Sequence, residues 1–269
     1  MRQTTLSRAE RRHRAAIVRA ARMGGALARL IRAARIACCE ALPAEIGPHD
    51  LIRVRGHVEA ATGHLQRVLA FRFRAMLMAS AEREHYLSAV EFTRISRRGK
   101  VEEGWRDYLK LLFPPPALEF LERIVGPAYR ALTRLVNPQR ASDTVLQGIA
   151  AGKNRKQIAD DLEEVFGGYE RSARRVARDE GLRVATQTQL AVSEQIPDLI
   201  AGYSINSVLD ERVRPEHRKR HGHKFYRNPG RGQKGLNECP QPPVEADGTW
   251  AYGCRCFLVP IVMIDGEEI

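Results

Sequence analysis

The spacing of apolar residues changes once along this chain, near residue 200, and that change bounds the fold. Upstream, apolar residues recur at intervals of three and four, as in Leu51, Val54, Val58, Leu65, Leu69, Phe73 and Leu77. This is the period of a helix with one buried face. Downstream, Ser204–Leu209 alternates and Cys256–Val262 is a short apolar run, both strand patterns. Strands that follow helices, with no regular alternation between them, predict an α+β protein. Its helical N-terminal region is followed by a small mixed α+β C-terminal module. Aromatic residues make up only 6% of the chain, so the apolar side is mostly aliphatic, which favours helices over a β-sandwich.

Punctuation residues divide the helical part. A first helix occupies residues 1–42 after a short tail, with Ser7 as N-cap and Glu10 completing a capping box. Gly24–Gly25 is a weak point where it is expected to hinge. A second helix runs from Asp50 to about Phe92, and the charged segment Arg94–Gly104 reads as a loop. Trp105–Phe113 and Ala117–Val136 are two further helices, with Pro127 expected to kink or split the latter. Asn137–Pro138 is the best boundary, giving a helical Arg-rich region 1–138 and a second domain 139–269. That domain opens with a short helix from Ala141 ending at Gly152, then a helix capped by Asn154 and Gln157. Gly167–Gly168 is expected to end it, and Tyr169–Gln195 forms a third. Pro260 restricts the last strand to a sheet edge.

Charge bears on partners. The net charge is +12, and the first 35 residues hold ten arginines against one acid, Glu10. Arg8, Arg11, Arg12, Arg19, Arg22 and Arg29 fall on one side of the first helix, opposite Ile17, Ala20, Leu27 and Ile31. Such a face fits double-stranded DNA phosphates or an anionic membrane surface, and equally a solvated helix face. No stretch of 18 apolar residues is present, so no transmembrane segment is expected. Five unevenly placed cysteines, two of them adjacent, do not form a secreted disulfide framework.

Chemistry concentrates in residues 209–256, which hold His217, His221, His223, Cys239, Cys254 and Cys256. Cys254 and Cys256 lie two apart, so on a strand both sulfurs share a face. With Cys239 and His217 they make a candidate zinc set; packed free thiols, or a disulfide from Cys239 to Cys254 or Cys256, are the alternatives. Asp210, Arg212, His217 and His221 supply the residue types of a metal-independent nuclease, without a nucleophile motif or a phosphate-binding glycine loop. The reading preferred here is that Asp210 pins its own turn and that the chain has no catalytic residues.

Four blocks in order carry a resemblance: GIAAGKNRKQIADDLEEVF, RSARRVARDEGLRVATQTQ, SVLDERVRPEHRKRHGHKF and PPVEADGTWAYGCRC. Over about Ala141–Val262 the chain resembles the phage head-morphogenesis family, minor head proteins similar to protein F of phage Mu. The family pattern is met by Arg178 and Glu180, by Asp210 and Arg212, by His217 and Gly222, and by Cys254–Arg255–Cys256. Where many members carry Cys-x-x-Cys, this chain has Arg214–His217 with one donor, and Ala251–Gly253 stands where many have Asn or His-Pro-Asn. The resemblance implies a structural protein of a tailed phage or prophage head, made in the host cytoplasm and placed in the virion near the portal vertex. Its implied partners are the portal or major coat protein and packaged DNA, and its implied role is head assembly and DNA packaging, retention or delivery. A toxin-like or effector nuclease built on the same module is the alternative.

Overall fold

In a computed structural model, residues 8–44, 50–96, 118–197, 200–264 and 267–268 are described. Six helices and five strands are defined among them: α1 (Arg8–Glu40), α2 (Leu51–Ser96), α3 (Leu118–Thr133), α4 (Pro138–Ala150), α5 (Arg155–Ser193), β1 (Ile200–Ser207), α6 (Pro215–Lys219), β2 (His223–Tyr226), β3 (Lys234–Gly235), β4 (Cys256–Ile264) and β5 (Glu267–Glu268). The α+β organisation expected from the apolar periodicity is present. The expectations for Ser7 and for the segments 97–104 and 105–113 fall outside the described residues.

Two compact units are built from separate stretches of chain. One comprises Met1–Ala20, Leu77–Ile124 and Asp179–Ile269, and the other Ala21–Met76 and Val125–Arg178. The second is helical. Val54, Val58, Leu65, Leu69 and Phe73 of α2 are all buried, and Thr62 fills the gap in their series. Its hydroxyl donates to the Val58 carbonyl at 2.6 Å, which satisfies the group without a partner from another element.

Capping residues place the helix ends. Asn137 caps α4 by accepting from the Gln139 amide at 3.0 Å, with Pro138 in the first turn, so the helix begins three residues before the expected Ala141. Gly152 follows it with φ +68°, the left-handed conformation that glycine adopts without strain. Asn154 and Gln157 form the expected reciprocal box, each side chain accepting from the other's amide at 3.0 and 2.9 Å.

Three expected interruptions do not occur. Helix α5 runs unbroken through Gly167–Gly168. Each interior glycine costs about 1 kcal/mol, but Phe166 and Tyr169 on either side are buried, and the Tyr169 hydroxyl donates to the Asn137 carbonyl at 2.8 Å. Helix α1 likewise continues through Gly24–Gly25. A Cβ at Gly24 would stand 3.1 Å from the Arg174 Cα, so this glycine lets two helices approach closely and does not act as a hinge. Helix α3 continues through Pro127.

The other unit carries the sheet, in the order β3-β2-β1-β4-β5. Strand β1 pairs antiparallel with β2 and with β4, whose register sets Ser207 opposite Cys256 and Tyr203 opposite Pro260. The paired run of β4 extends to Ile264, and β5 adds only at Met263 and Ile264, which leaves the Pro260 stretch on an edge as expected. Strands β2 and β3 were not legible as strands. Gly202 is needed where β1 passes β2, since a Cβ there would lie 2.0 Å from the Phe225 carbonyl oxygen. The inner face buries Ile200, Tyr203, Ile205, Phe225, Leu258 and Val262.

Two features of this unit concern charge. Glu84 is buried between Arg12 at 2.5 Å and Arg19 at 2.9 Å, and Arg12 also reaches Glu91 at 2.7 Å and the Ser88 hydroxyl. His13 stacks on Phe257 with ring centroids 4.7 Å apart. Burial, aided by the nearby Arg255 charge, lowers its pKa from 6.5 to about 3.

Replacing Glu84 by alanine removes the carboxylate from Arg19 and leaves Arg12 with Glu91 and Ser88. It should lower stability by about 3 kcal/mol, measured by denaturant unfolding; a change below about 0.5 kcal/mol would contradict the pairing. His13 stays neutral in the fold, whereas the unfolded chain takes up its proton below pH 6.5. Its contribution is therefore present above pH 6.5 and is lost as pH falls towards 3. Between pH 6.5 and 5 the protein should lose up to about 1.4 kcal/mol per pH unit more than His13→Phe. Coincident stability curves for the two would refute this.

Candidate functional site

The residues flagged by their chemistry divide into a buried group and a set of loop residues that hold it. After β1 the chain enters a tight turn in which Leu209 adopts φ +58°, costly for a residue with a Cβ, so other contacts must hold it. Asp210 provides them. Its side chain accepts from the Arg212 amide at 3.1 Å and pairs with the Arg255 guanidinium, while its carbonyl accepts from Arg218 at 2.8 Å and from the Val213 amide at 3.2 Å.

Arg255 stands between the two cysteines at the start of β4. Alternation along extended backbone sends its side chain to one side and both thiols to the other. Gly253, with φ +70°, turns the chain into this segment, and its amide donates to Asp179 of α5 at 3.2 Å. The Val208 amide donates to the Arg255 carbonyl at 3.3 Å, which ties the same segment to the end of β1.

On the inner side, His217 of α6 meets both thiols. Its Nδ1 lies 3.5 Å from the Cys254 Sγ and 3.4 Å from the Cys256 Sγ. All three residues are buried, at 3, 5 and 2% exposure, so a ligand here would exchange with solvent only through local opening. The Cys256 amide points at the Cys254 Sγ at 3.4 Å. On the far side of the imidazole, Nε2 lies 3.5 Å from Glu245, which Arg220 clamps through both terminal amines.

The two thiols divide their protonation. A hydrogen bond from Cys254, reinforced by His217 and Arg220, lowers the Cys256 pKa against the effect of burial. The same bond and burial raise Cys254. Burial opposes ionisation of Glu245 as well, but the Arg220 bond and charge outweigh it and hold the carboxyl below its ordinary value.

Of the four proposed metal donors, the fold thus gathers His217, Cys254 and Cys256, with their ligand atoms within 4.8 Å of one another. Cys239 is not in this group; its thiol bonds the Pro240 carbonyl and burial raises its pKa to about 12. All five cysteines are free thiols, so the disulfide alternatives do not form. The four residues of the nuclease reading point to different tasks. His217 faces the thiols, Asp210 binds Arg255, Arg212 is exposed, and His221 accepts from the Ser207 amide at 3.0 Å. Glu180 pairs with Arg183 at 2.7 Å.

On helix α1, Arg22 and Arg29 are exposed and Arg11 is too, whereas Arg12 and Arg19 turn to Glu84. Arg8 opens the helix. Residues 209–256 also contain supports that no motif revealed. Arg220 lies three residues after His217, so helical spacing could have flagged it. Glu245 has no local signal at all; Asp179, on α5, sits between Arg178 and Glu180 of the resemblance.

Comparison with known proteins agrees with this constellation. Residues 139–259 match the family described as Phage Mu protein F like protein. The matched segment holds α5, the turn of Asp210, His217 and both cysteines, and over it the chain is similar to that family. A Haemophilus influenzae protein described as "Uncharacterized protein" is 25% identical over 130 residues, 48% of this chain and 26% of its own length. The chain thus spans about a quarter of that relative. No solved structure matches.

The account of the turn makes Asp210→Ala destabilising by about 1–3 kcal/mol, since it removes the acceptor for an amide and the partner of Arg255 together. Asp210→Asn keeps the amide acceptor and should fall between alanine and the parent in thermal unfolding. Three superimposable unfolding curves would contradict the role assigned to this side chain.

Proposed function

We propose that this protein is a minor head protein of a tailed phage or prophage, acting in head assembly and in DNA packaging, retention or delivery at the portal vertex. The match of residues 139–259 to the Mu protein F-like family carries this reading. In it, residues 139–269 form the family module that docks to the portal or major coat protein. Residues 1–138 form the helical, Arg-rich region. The protein resides in the virion head after assembly in the host cytoplasm. No helix among the described residues is long and apolar enough to cross a membrane.

The net charge of +12 supports contact with packaged double-stranded DNA. Arg8, Arg11, Arg22 and Arg29 carry the phosphate contacts in this reading. Arg12 and Arg19 are committed to Glu84 and serve the fold instead. The assignment separates two kinds of arginine on one helix, which the even spacing of the sequence does not distinguish.

Co-expression with the portal protein of the same phage or prophage should yield a complex that survives purification, and the protein should be found in purified heads by mass spectrometry. Absence from both would overturn the proposal. For DNA, the double variant Arg22→Gln/Arg29→Gln should flatten the plot of log affinity against log salt by about 1.8, close to 0.9 per lost phosphate contact. An unchanged slope would remove these two residues from the interface.

A further inference from the structure

We propose that His217 Nδ1, Cys254 Sγ and Cys256 Sγ are the three protein donors of a tetrahedral zinc site, with Glu245 and Arg220 as its outer support. The inference is independent of the head-protein reading, since it rests on donor geometry alone.

The distances carry it. With zinc–sulfur bonds of about 2.3 Å and zinc–nitrogen bonds of about 2.05 Å, a regular tetrahedron separates a nitrogen from a sulfur ligand by about 3.5 Å. The structure sets Nδ1 3.5 and 3.4 Å from the two sulfurs. Each separation alone is also that of a thiol–imidazole hydrogen bond; the convergence of both sulfurs on one ring nitrogen is what points to a shared ligand.

The surroundings match what a zinc-bound histidine needs. A ligating imidazole presents one nitrogen to the metal and its other N–H to a carboxylate, which fixes tautomer and orientation. Nδ1 faces the sulfurs, and Nε2 faces Glu245 at 3.5 Å. Arg220 holds that carboxylate and also lies 3.0 Å from Nδ1 and 3.2 Å from Nε2. Nearly equal distances to the two ring nitrogens place the guanidinium off the lone-pair axis of either, so Nδ1 remains directed at the thiols. The Cys256 amide adds a hydrogen bond to the Cys254 sulfur.

Charge closes as well. Zinc with two thiolates and a neutral imidazole sums to zero, and Arg220 with Glu245 sums to zero, which suits a buried position. Two soft sulfurs and an imidazole in tetrahedral array select zinc over calcium or magnesium. Glu245 is excluded as the fourth ligand because it lies on the Nε2 side and is held by Arg220. Cys239 is outside the cluster, and no fourth side chain among the described residues joins it.

The full chain, purified without added metal, should contain about one zinc per molecule by elemental analysis, and a strong chelator should lower its Tm by at least several degrees. Cobalt(II) added to metal-free protein should give thiolate charge-transfer absorption and the visible bands of tetrahedral cobalt. This reading does not require a variant to fold. Cys254→Ser, Cys256→Ser and His217→Ala should each lose the metal, and Cys239→Ser should keep it. Glu245→Gln should weaken affinity about 10- to 100-fold. Less than about half an equivalent of zinc with a Tm indifferent to chelator would overturn the proposal. So would octahedral cobalt spectra, or loss of zinc from Cys239→Ser equal to that from Cys256→Ser.

Discussion

The ion pair between Asp210 and Arg255 is the contact on which the C-terminal module depends. It sits at the one place where the loop after β1 and the start of β4 must be held in register. Because successive side chains of an extended strand alternate, anchoring Arg255 outward fixes Cys254 and Cys256 inward. The same aspartate caps its own turn and takes the Arg218 guanidinium on its carbonyl, which sets the approach of the short helix bearing His217. One residue therefore bears on all three members of the buried cluster without touching any of them, its carboxylate through Arg255 and its main-chain carbonyl through Arg218.

A second carboxylate plays a comparable part among the helices. Glu84 is buried and draws Arg12 and Arg19 towards it. The first helix therefore has arginines of two kinds. One kind satisfies an internal charge and the other faces solvent, where attraction to a polyanion costs nothing in fold stability. A formal charge count cannot tell them apart, because it records neither burial nor partners. Further along the same helix Arg32 and Arg35 make more exposed pairs with Glu170 and Glu163 at 3.0 and 2.5 Å.

Much of the fold was legible because it rests on local chemistry. The buried set of α2, the reciprocal cap of Asn154 and Gln157, the left-handed Gly152 and the β4 run from Cys256 all follow from residues close in sequence. The errors were of one kind. Gly167–Gly168 and Gly24–Gly25 read as breaks, yet both remain helical because partners remote in sequence outweigh a cost of about 1 kcal/mol each. The four-residue strand β2 was missed because it is set by pairing with β1, which no local pattern encodes. At the site, the Cys-x-Cys spacing marked two members of the cluster and the third was among the named histidines. Glu245 was invisible, since its role arises only when the loop folds back over Arg220.

The cluster of His217, Cys254 and Cys256 is held by Asp210 from outside and by Glu245 from behind, as the proposed zinc site requires. Zinc-edge anomalous diffraction from crystals of the full chain tests this most directly. The predicted result is a single strong peak about 2.3 Å from both sulfurs and about 2.05 Å from His217 Nδ1, with Nε2 turned to Glu245. A map with no peak there, with the imidazole rotated away from the two thiols, would contradict it.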